Sequence, residues 1–281
     1  MNTTLGDFDL QIVSGGRLRL DGGAMFGVVP KALWQRARKP DEHNRIAMDC
    51  NCLLVTTPTG RTLIDAGYGS KGGERPKRNH ALDDGNPILD NLAAIGVSPE
   101  EIDRVILSHL HFDHAGGLTL IDETGKLQPV FPDARHIVQR AEWEDATGDI
   151  PELAGAYFKD DFLAVQKAGL LDIIEGDTEI EPGVRVQVTG GHTRGHQIIL
   201  LESEGRRAAF LADLCPLTPH LRTMWTMSYD QDPLRIRRVK PEILRRAADE
   251  NWLIIFEHDV EVRAGRIRRD EKAEFVVVED A

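Results

Sequence analysis

Short runs of branched and aromatic residues recur along this chain, each stopped by glycine or by a packet of polar side chains, a pattern that predicts strands more often than helices. Residues 8–20 alternate on either side of Gly15-Gly16, which predicts a pair of strands ended by Asp21-Gly22-Gly23. Cys52-Leu53-Leu54-Val55-Thr56 and Arg61-Thr62-Leu63-Ile64-Asp65 flank Pro58-Thr59-Gly60, the composition of a hairpin. Further strands are predicted at 135–138, 171–175 and 184–189, over the run that starts at Ala208, and from Trp252 to Phe256.

Helical spacing is sparser. Asn86-Pro87 opens a helix whose apolar stripe is Ile88, Leu89, Leu92 and Ile95 and which Gly96 stops, and Ser98-Pro99-Glu100-Glu101 fits a capping box. Helical periodicity returns at 139–146 and 155–168. Residues 70–86 are charged and Gly-rich, the composition of a solvated loop in which His80 is a surface side chain. The stretch from Ala24 to Trp34 is apolar without a period; it suits core, a partner surface or a pocket wall.

Composition narrows the class. At 281 residues and 41% hydrophobic, with no Pro/Ser-rich linker, one domain spanning 1–281 is expected. A formal net charge of −12 disfavours nucleic acid as a partner, because phosphate binding needs a basic face. The N-terminus lacks a cationic start and an apolar run, and no segment approaches about 18 uninterrupted apolar residues, so a cytoplasmic protein with no membrane association is expected. Cys50, Cys52 and Cys215 are too few for a disulfide framework; Cys50 and Cys52 read as packed core thiols.

The chemistry concentrates in Val105-Ile106-Leu107-Ser108-His109-Leu110-His111-Phe112-Asp113-His114-Ala115-Gly116-Gly117, a strand running into a loop dense in metal-ligand types. In an extended segment His109 and His111 share a face, whereas Asp113 and His114 need a turn to converge from another side. Imidazole and carboxylate without thiolate suit zinc, iron or manganese and argue against a structural zinc finger. Four more strand ends carry similar groups: Asp65, a turn cap or a partner that orients a ligand histidine; Thr189-Gly190-Gly191-His192-Thr193-Arg194-Gly195-His196; and the two runs that end on Asp213 and on His258-Asp259. Asp259 reads as an orienting or a surface group.

His109-x-His111-x-Asp113-His114 after an apolar strand, followed in order by His192, Asp213 and His258, resembles the metallo-β-lactamase superfamily of dinuclear hydrolases. The resemblance, rather than periodicity, implies the fold: α+β, an αββα sandwich of two sheets covered by helices. It implies two divalent transition-metal ions, zinc foremost, with iron, manganese or cobalt as alternatives. One ion falls to His109, His111 and His192, the other to Asp113, His114 and His258, with Asp213 bridging both. Asp65 is implied to partner a ligand histidine, and His196 to orient the loop that carries His192. Ions about 3.5–4 Å apart can hold a nucleophilic hydroxide between them while Asp113 also passes a proton to the leaving group.

Within the superfamily, His111 stands where dioxygen-reducing members carry Glu, and Asp213 stands where genuine β-lactamases commonly use Cys. The run Asp21-Gly22-Gly23-Ala24-Met25-Phe26-Gly27-Val28-Val29-Pro30-Lys31 and Phe256-x-His258-Asp259 is most similar to the N-acyl-homoserine lactone lactonases of the quorum-quenching type. That likeness implies a small-molecule lactone substrate and a homodimer through the Met25–Trp34 stretch. A tail pocket is expected from Met25, Phe26, Val28, Val29, Trp34, Met224, Trp225 and Met227. Those lactonases carry a Tyr where this chain has Pro216, and His220 and Tyr229 are the candidates to replace it. Organophosphate hydrolysis on the same ligands is the alternative activity, and a non-catalytic metal- or partner-binding domain is the alternative class.

Overall fold

The computed structural model describes residues 2–153 and 155–278. The first part of the chain supplies β1 (Asn2–Leu5), β2 (Phe8–Asp21), β3 (Arg45–Thr57), β4 (Gly60–Ile64), β5 (Arg104–Ile106), a separate hairpin of β6 (Thr119–Ile121) and β7 (Leu127–Pro129), then β8 (Arg135–Gln139) and β9 (Leu171–Ile174). All but the hairpin join one mixed sheet in the order β1-β2-β3-β4-β5-β8-β9. The second part supplies β10 (Thr178–Glu181), β11 (Val184–Val188), β12 (Gln197–Ser203), β13 (Arg206–Phe210), β14 (Leu253–Ile255), β15 (Ala264–Asp270) and β16 (Glu274–Val278), which pair in sequence order as a second sheet.

The central strands read as unbroken apolar runs because each feeds two cores. Leu53, Val55, Ile64, Ile106 and Ile137 point inward and meet Val186, Ile199, Phe210 and Ile255 of the other sheet. Their neighbours Leu54, Leu63, Val105 and Val138 face outward and pack with Ile88, Leu92, Trp143 and Val165 of the helices Pro87–Ala94, Arg140–Thr147 and Leu163–Lys167. Ile198, Ala209, Ile254 and Phe256 do the same beneath Ile236, Ile243 and Leu244 of the helix Pro233–Asp249. The order helix, sheet, sheet, helix is the αββα sandwich that the resemblance implied. Each such Val, Leu, Ile or Phe contributes about 1.5–3 kcal/mol through burial, so the two-sided strands hold the layers together.

This topology gathers strand ends. β4 and β5 run parallel, as do β13 and β14. β11 is antiparallel to β12, which is antiparallel to β13, so β11 also runs with β13 and β14. The C-terminal ends of β4 and β5 therefore share one edge of the first sheet, and those of β11, β13 and β14 share one edge of the second.

Several expectations change. Residues 8–20 form one strand, not two: Gly15-Gly16 is a bulge at which the pairing of β2 with β3 shifts register between Ser14 and Arg17, and Gly16 takes a φ of 117°. The solvated stretch 70–86 contains the helix Glu74–His80. The second helical pattern contracts to Leu163–Lys167 after a single 3-10 turn, because Asp161 turns inward to pair with Lys71 and Thr119 donates to the Asp160 carbonyl. Cys50 and Cys52 are buried free thiols, as expected. No helix among the described residues is long and apolar enough to cross a membrane.

The apolar stretch from Ala24 to Trp34 folds into two short helices, Gly22–Phe26 and Lys31–Trp34. Met25, Phe26, Val29 and Trp34 join Leu18, Leu20, Ile46 and Met48 in a core of their own, with Phe26 stacked on Trp34 at 5.4 Å. Val28, at 72%, and Leu33, at 49%, stay exposed, as do Pro30, Lys31 and Ala32. The methionine and aromatic side chains of the stretch on which the expected dimer contact rested are thus interior, and Val28 and Pro30 to Leu33 carry what remains at the surface. Phe26→Ala is expected to cost about 3–5 kcal/mol of unfolding free energy, read by chemical denaturation, and Val28→Ala to stay within about 0.5 kcal/mol.

Candidate metal centre

Each donor leaves the end of a strand. β5 runs through Leu107 and Ser108 into His109 and His111, after which one helical turn, Phe112–Ala115, brings Asp113 and His114 round to the same side. That turn is the change of direction that the spacing called for. β11 leads through Gly190 and Gly191 to His192; Gly191 has a φ of 90°, and a Cβ there would lie 2.8 Å from the Ile236 side chain of the covering helix. β13 leads to Asp213 through Ala212, itself in the left-handed region at φ 44°, and β14 leads to His258.

The tips converge into two groups. In the first, His111 Nδ1 lies 3.0 Å from both His109 Nε2 and His192 Nε2, and Asp213 Oδ2 lies 3.0 Å from His192 Nε2 and 3.8 Å from His109 Nε2. In the second, His114 Nε2 and His258 Nε2 are 3.3 Å apart, with Asp113 Oδ1 and Oδ2 each 3.7 Å from one of them. Asp213 faces this group too, Oδ1 at 3.2 Å from His258 and Oδ2 at 3.7 Å from His114. A tetrahedral ion with bonds of about 2.0–2.2 Å separates its donors by about 3.4 Å, close to these spacings. Ring nitrogens that face one another repel unless a cation or proton lies between them, and Asp213 Oδ1 is buried without a hydrogen-bond donor. The donor set fits cation binding.

The comparisons with known proteins agree. The family model described as the metallo-beta-lactamase superfamily matches residues 45–258. The chain belongs to this superfamily. An N-acyl homoserine lactonase of a Bacillus species is 30% identical over 232 residues, 76% of this chain and 82% of that protein. A probable metal-dependent hydrolase from Staphylococcus aureus is 32% identical, with a TM-score of 0.89 over 99% of this chain and 100% of that one. An N-acyl homoserine lactone hydrolase with N-hexanoyl-L-homoserine at its catalytic metal centre is 25% identical, with a TM-score of 0.69 over 92% of this chain and 95% of that one.

In this superfamily member a second layer of hydrogen bonds fixes the rings. Asp65, held at φ 56°, accepts from Ser108 N at 2.7 Å, from Ser108 Oγ at 2.6 Å and from His114 Nδ1 at 3.0 Å. Ser108 Oγ lies 3.0 Å from His109 Nδ1. With both Nε2 atoms turned to the donor groups, His109 Nδ1–H donates to Ser108 and Ser108 donates to Asp65, so one carboxylate orients a ring in each group. His192 Nδ1–H donates to Asp230 at 2.9 Å and His258 Nδ1–H to the Asp49 carbonyl at 2.9 Å. His196 contacts Thr189 Oγ1 at 2.6 Å and accepts from Asp213 N at 3.2 Å, which places it behind Asp213 and outside both groups. Glu142 ties two loops together, accepting from Leu110 N at 2.9 Å and Thr193 Oγ1 at 2.5 Å. Asp259 is buried and holds the turn after His258, taking Arg38, Thr218 and two backbone amides.

Asp230, Glu142 and Glu257, which lies beside His114, escape sequence reasoning. They are single carboxylates in a chain with 46 acidic residues, and no spacing distinguishes them. Only tertiary contact does.

Charge is distributed unevenly. Burial, reinforced by the neighbouring imidazoles, pushes His109 and His111 well below the usual histidine range. Burial opposes protonation of His192 and His258 as well, but Asp213 outweighs it, aided by Asp230 and by Glu257 respectively, and raises them to about 10 and about 9. The same imidazoles hold the Asp213 carboxyl well below its ordinary value against the effect of burial.

The centre opens onto a cleft of about 390 Å³ with His111, Asp113, His192, Asp213 and His258 at its floor. Leu20, Met25, Met48, Phe112, Leu153 and Met227 wall it, and His80, Glu152, Tyr229 and Gln231 add polar edges. His80, expected at the surface, thus lines the cleft, its ring 5.8 Å from Phe112. Of the expected pocket residues, Met25, Met227 and Tyr229 line it. Phe26, Val29 and Trp34 lie in the core behind, Val28 and Met224 face solvent, and Trp225 sets its edge against Phe26. His220 stacks under Phe26 at 5.1 Å and meets the Met25 carbonyl at 2.8 Å, so it does not face the cleft.

Cations must displace the protons that His192 and His258 hold below about 10 and about 9. Adding zinc to stripped protein near pH 7.5 is therefore expected to release protons, and apparent affinity to rise with pH towards about 9. Calorimetry in buffers of different ionisation enthalpy measures the release; a pH-independent affinity would contradict the assignment.

Proposed function

We propose that this protein is a dinuclear lactonase that opens N-acyl-homoserine lactones. The observation that carries the proposal is the pair of donor groups, with Asp213 in one and facing the other, at the floor of a cleft with an apolar wall, and the similarity to proteins named N-acyl homoserine lactonase supports the substrate class. His109, His111 and His192 would hold one ion and Asp113, His114 and His258 the other, with Asp213 facing both groups. Two zinc ions, when bound there, supply Lewis acidity at a carbonyl and a water of lowered pKa.

The chain's own groups do the rest. Ring opening adds water across the lactone C–O bond, hydroxyl to the carbonyl carbon and a proton to the departing ring oxygen. Asp113, at the cleft floor with one oxygen towards each of His114 and His258, is placed to take that proton from the water and pass it to the ring oxygen. Pro216 has no hydroxyl, and its carbonyl is taken by His258 N at 3.0 Å. Tyr229 is the tyrosine on the cleft wall, next to Asp230 that orients His192, and it is assigned to hold the substrate carbonyl. Leu20, Met25, Met48 and Met227 receive the acyl tail. All seven donors come from one chain, so the chemistry needs no second copy.

Each methylene buried against that wall contributes up to about 0.8 kcal/mol, so kcat/KM is expected to rise about fourfold per CH2 until the cleft is filled. Proton release from a homoserine lactone series of increasing acyl length measures this, with a phosphotriester in parallel. Asp113→Asn at saturating metal is expected to lower kcat about 100-fold or more, and Tyr229→Phe to lower it less. Turnover of the phosphotriester with none of the lactones would replace lactonase activity by organophosphate hydrolysis.

A further inference from the structure

Glu257 has no part in the chemistry above. It leaves β14 between Phe256 and His258, is fully buried, and neither carboxylate oxygen has a hydrogen-bond donor in good geometry. Yet its Oε1 stops 3.0 Å from His114 Nδ1, the atom that Asp65 Oδ2 also approaches at 3.0 Å. A buried carboxylate without donors is strongly disfavoured unless positive charge lies close. Asp65 cannot relieve it, because both of its oxygens already accept from Ser108. A cation held on the far side of the His114 ring, at the Asp113–His114–His258 group, would supply that charge.

We infer that Glu257 is a positioning residue that makes retention of the ion at this group depend on a second carboxylate behind His114. Asp65 and Glu257 bracket the Nδ1–H, which fixes the ring plane, and their combined charge strengthens Nε2 as a donor. The Glu257 backbone is itself pinned: its carbonyl accepts from Asn51 N at 2.7 Å, and Asn51 Nδ2 donates to the Phe256 carbonyl at 3.0 Å. One stretch of chain, 256–258, therefore sets two imidazoles of the same group, His258 directly and His114 through the Glu257 side chain. In the other group, His109 Nδ1 meets the Ser108 hydroxyl, so the influence of Glu257 is confined to one ion. The inference rests on the two-ion proposal.

The test loads wild type, E257Q and E257A with cobalt(II) and titrates each with a chelator, following bound metal per chain and the cobalt d–d absorption. Wild type is expected to hold two ions. E257A is expected to release one of them about tenfold or more readily while keeping the other, with a spectral change confined to the ion that leaves first. E257Q is expected to fall between, since its amide keeps the shape and a dipole beside Nδ1–H but carries no charge; if E257A does not fold, E257Q against wild type decides. Two ions retained as tightly in both variants as in wild type would overturn the inference and leave the two-ion proposal standing. A wild type that saturates at one ion would overturn both. A third ion per wild-type chain, lost in E257Q, would make Glu257 a ligand in its own right and overturn the positioning role.

Discussion

Lone pairs are aimed at lone pairs around Asp213, and the rest of the molecule keeps them there. Ring nitrogens 3.0–3.3 Å apart, with Asp213 Oδ1 buried among them, form a set that repels itself unless protons or cations lie between its members. A flexible loop would swing such side chains outward. Here each is fixed from behind, by Asp65 through Ser108, by Asp230, by the Asp49 carbonyl and by His196. The folded chain accepts that local cost, together with the left-handed backbone at Asp65 and Ala212, in order to hold a preorganised site.

The sandwich makes this possible by construction. Strands that bury both faces contribute little at their own ends, but parallel neighbours deposit those ends along one edge. Gln197 fastens the edge: its backbone N–H donates to the Ser108 carbonyl at 3.0 Å and its side chain to the Leu107 carbonyl at 2.7 Å, joining β12 of one sheet to the segment that carries His109 in the other. The cleft follows from the same geometry. Phe26, Trp34 and their neighbours build a small core on the rim, and this core presents Met25, Leu20 and Met48 to the opening.

Much of this was legible in the chain. A dense local pattern such as His109-x-His111-x-Asp113-His114 states its chemistry and its need for a turn, and strand ends at Asp65, His192, Asp213 and His258 show as apolar runs that stop on a ligand type. Other features were hidden for physical reasons. The Gly15-Gly16 bulge and a hairpin have the same local composition, and only pairing with β3 tells them apart. An apolar run without a period cannot say whether Phe26 faces core or cleft. Asp230, Glu142 and Glu257 act across gaps of 38, 32 and 143 residues from His192, Leu110 and His114, a separation that sequence spacing does not encode.

The central claim is that two ions sit on either side of Asp213, and anomalous diffraction at the absorption edge of the bound metal tests it most directly. The account predicts two peaks about 3.5–4 Å apart, one among His109, His111 and His192 and the other among Asp113, His114 and His258, with one Asp213 carboxylate between them. A single peak, or a second peak at Asp65 and Glu257 behind His114, would contradict it.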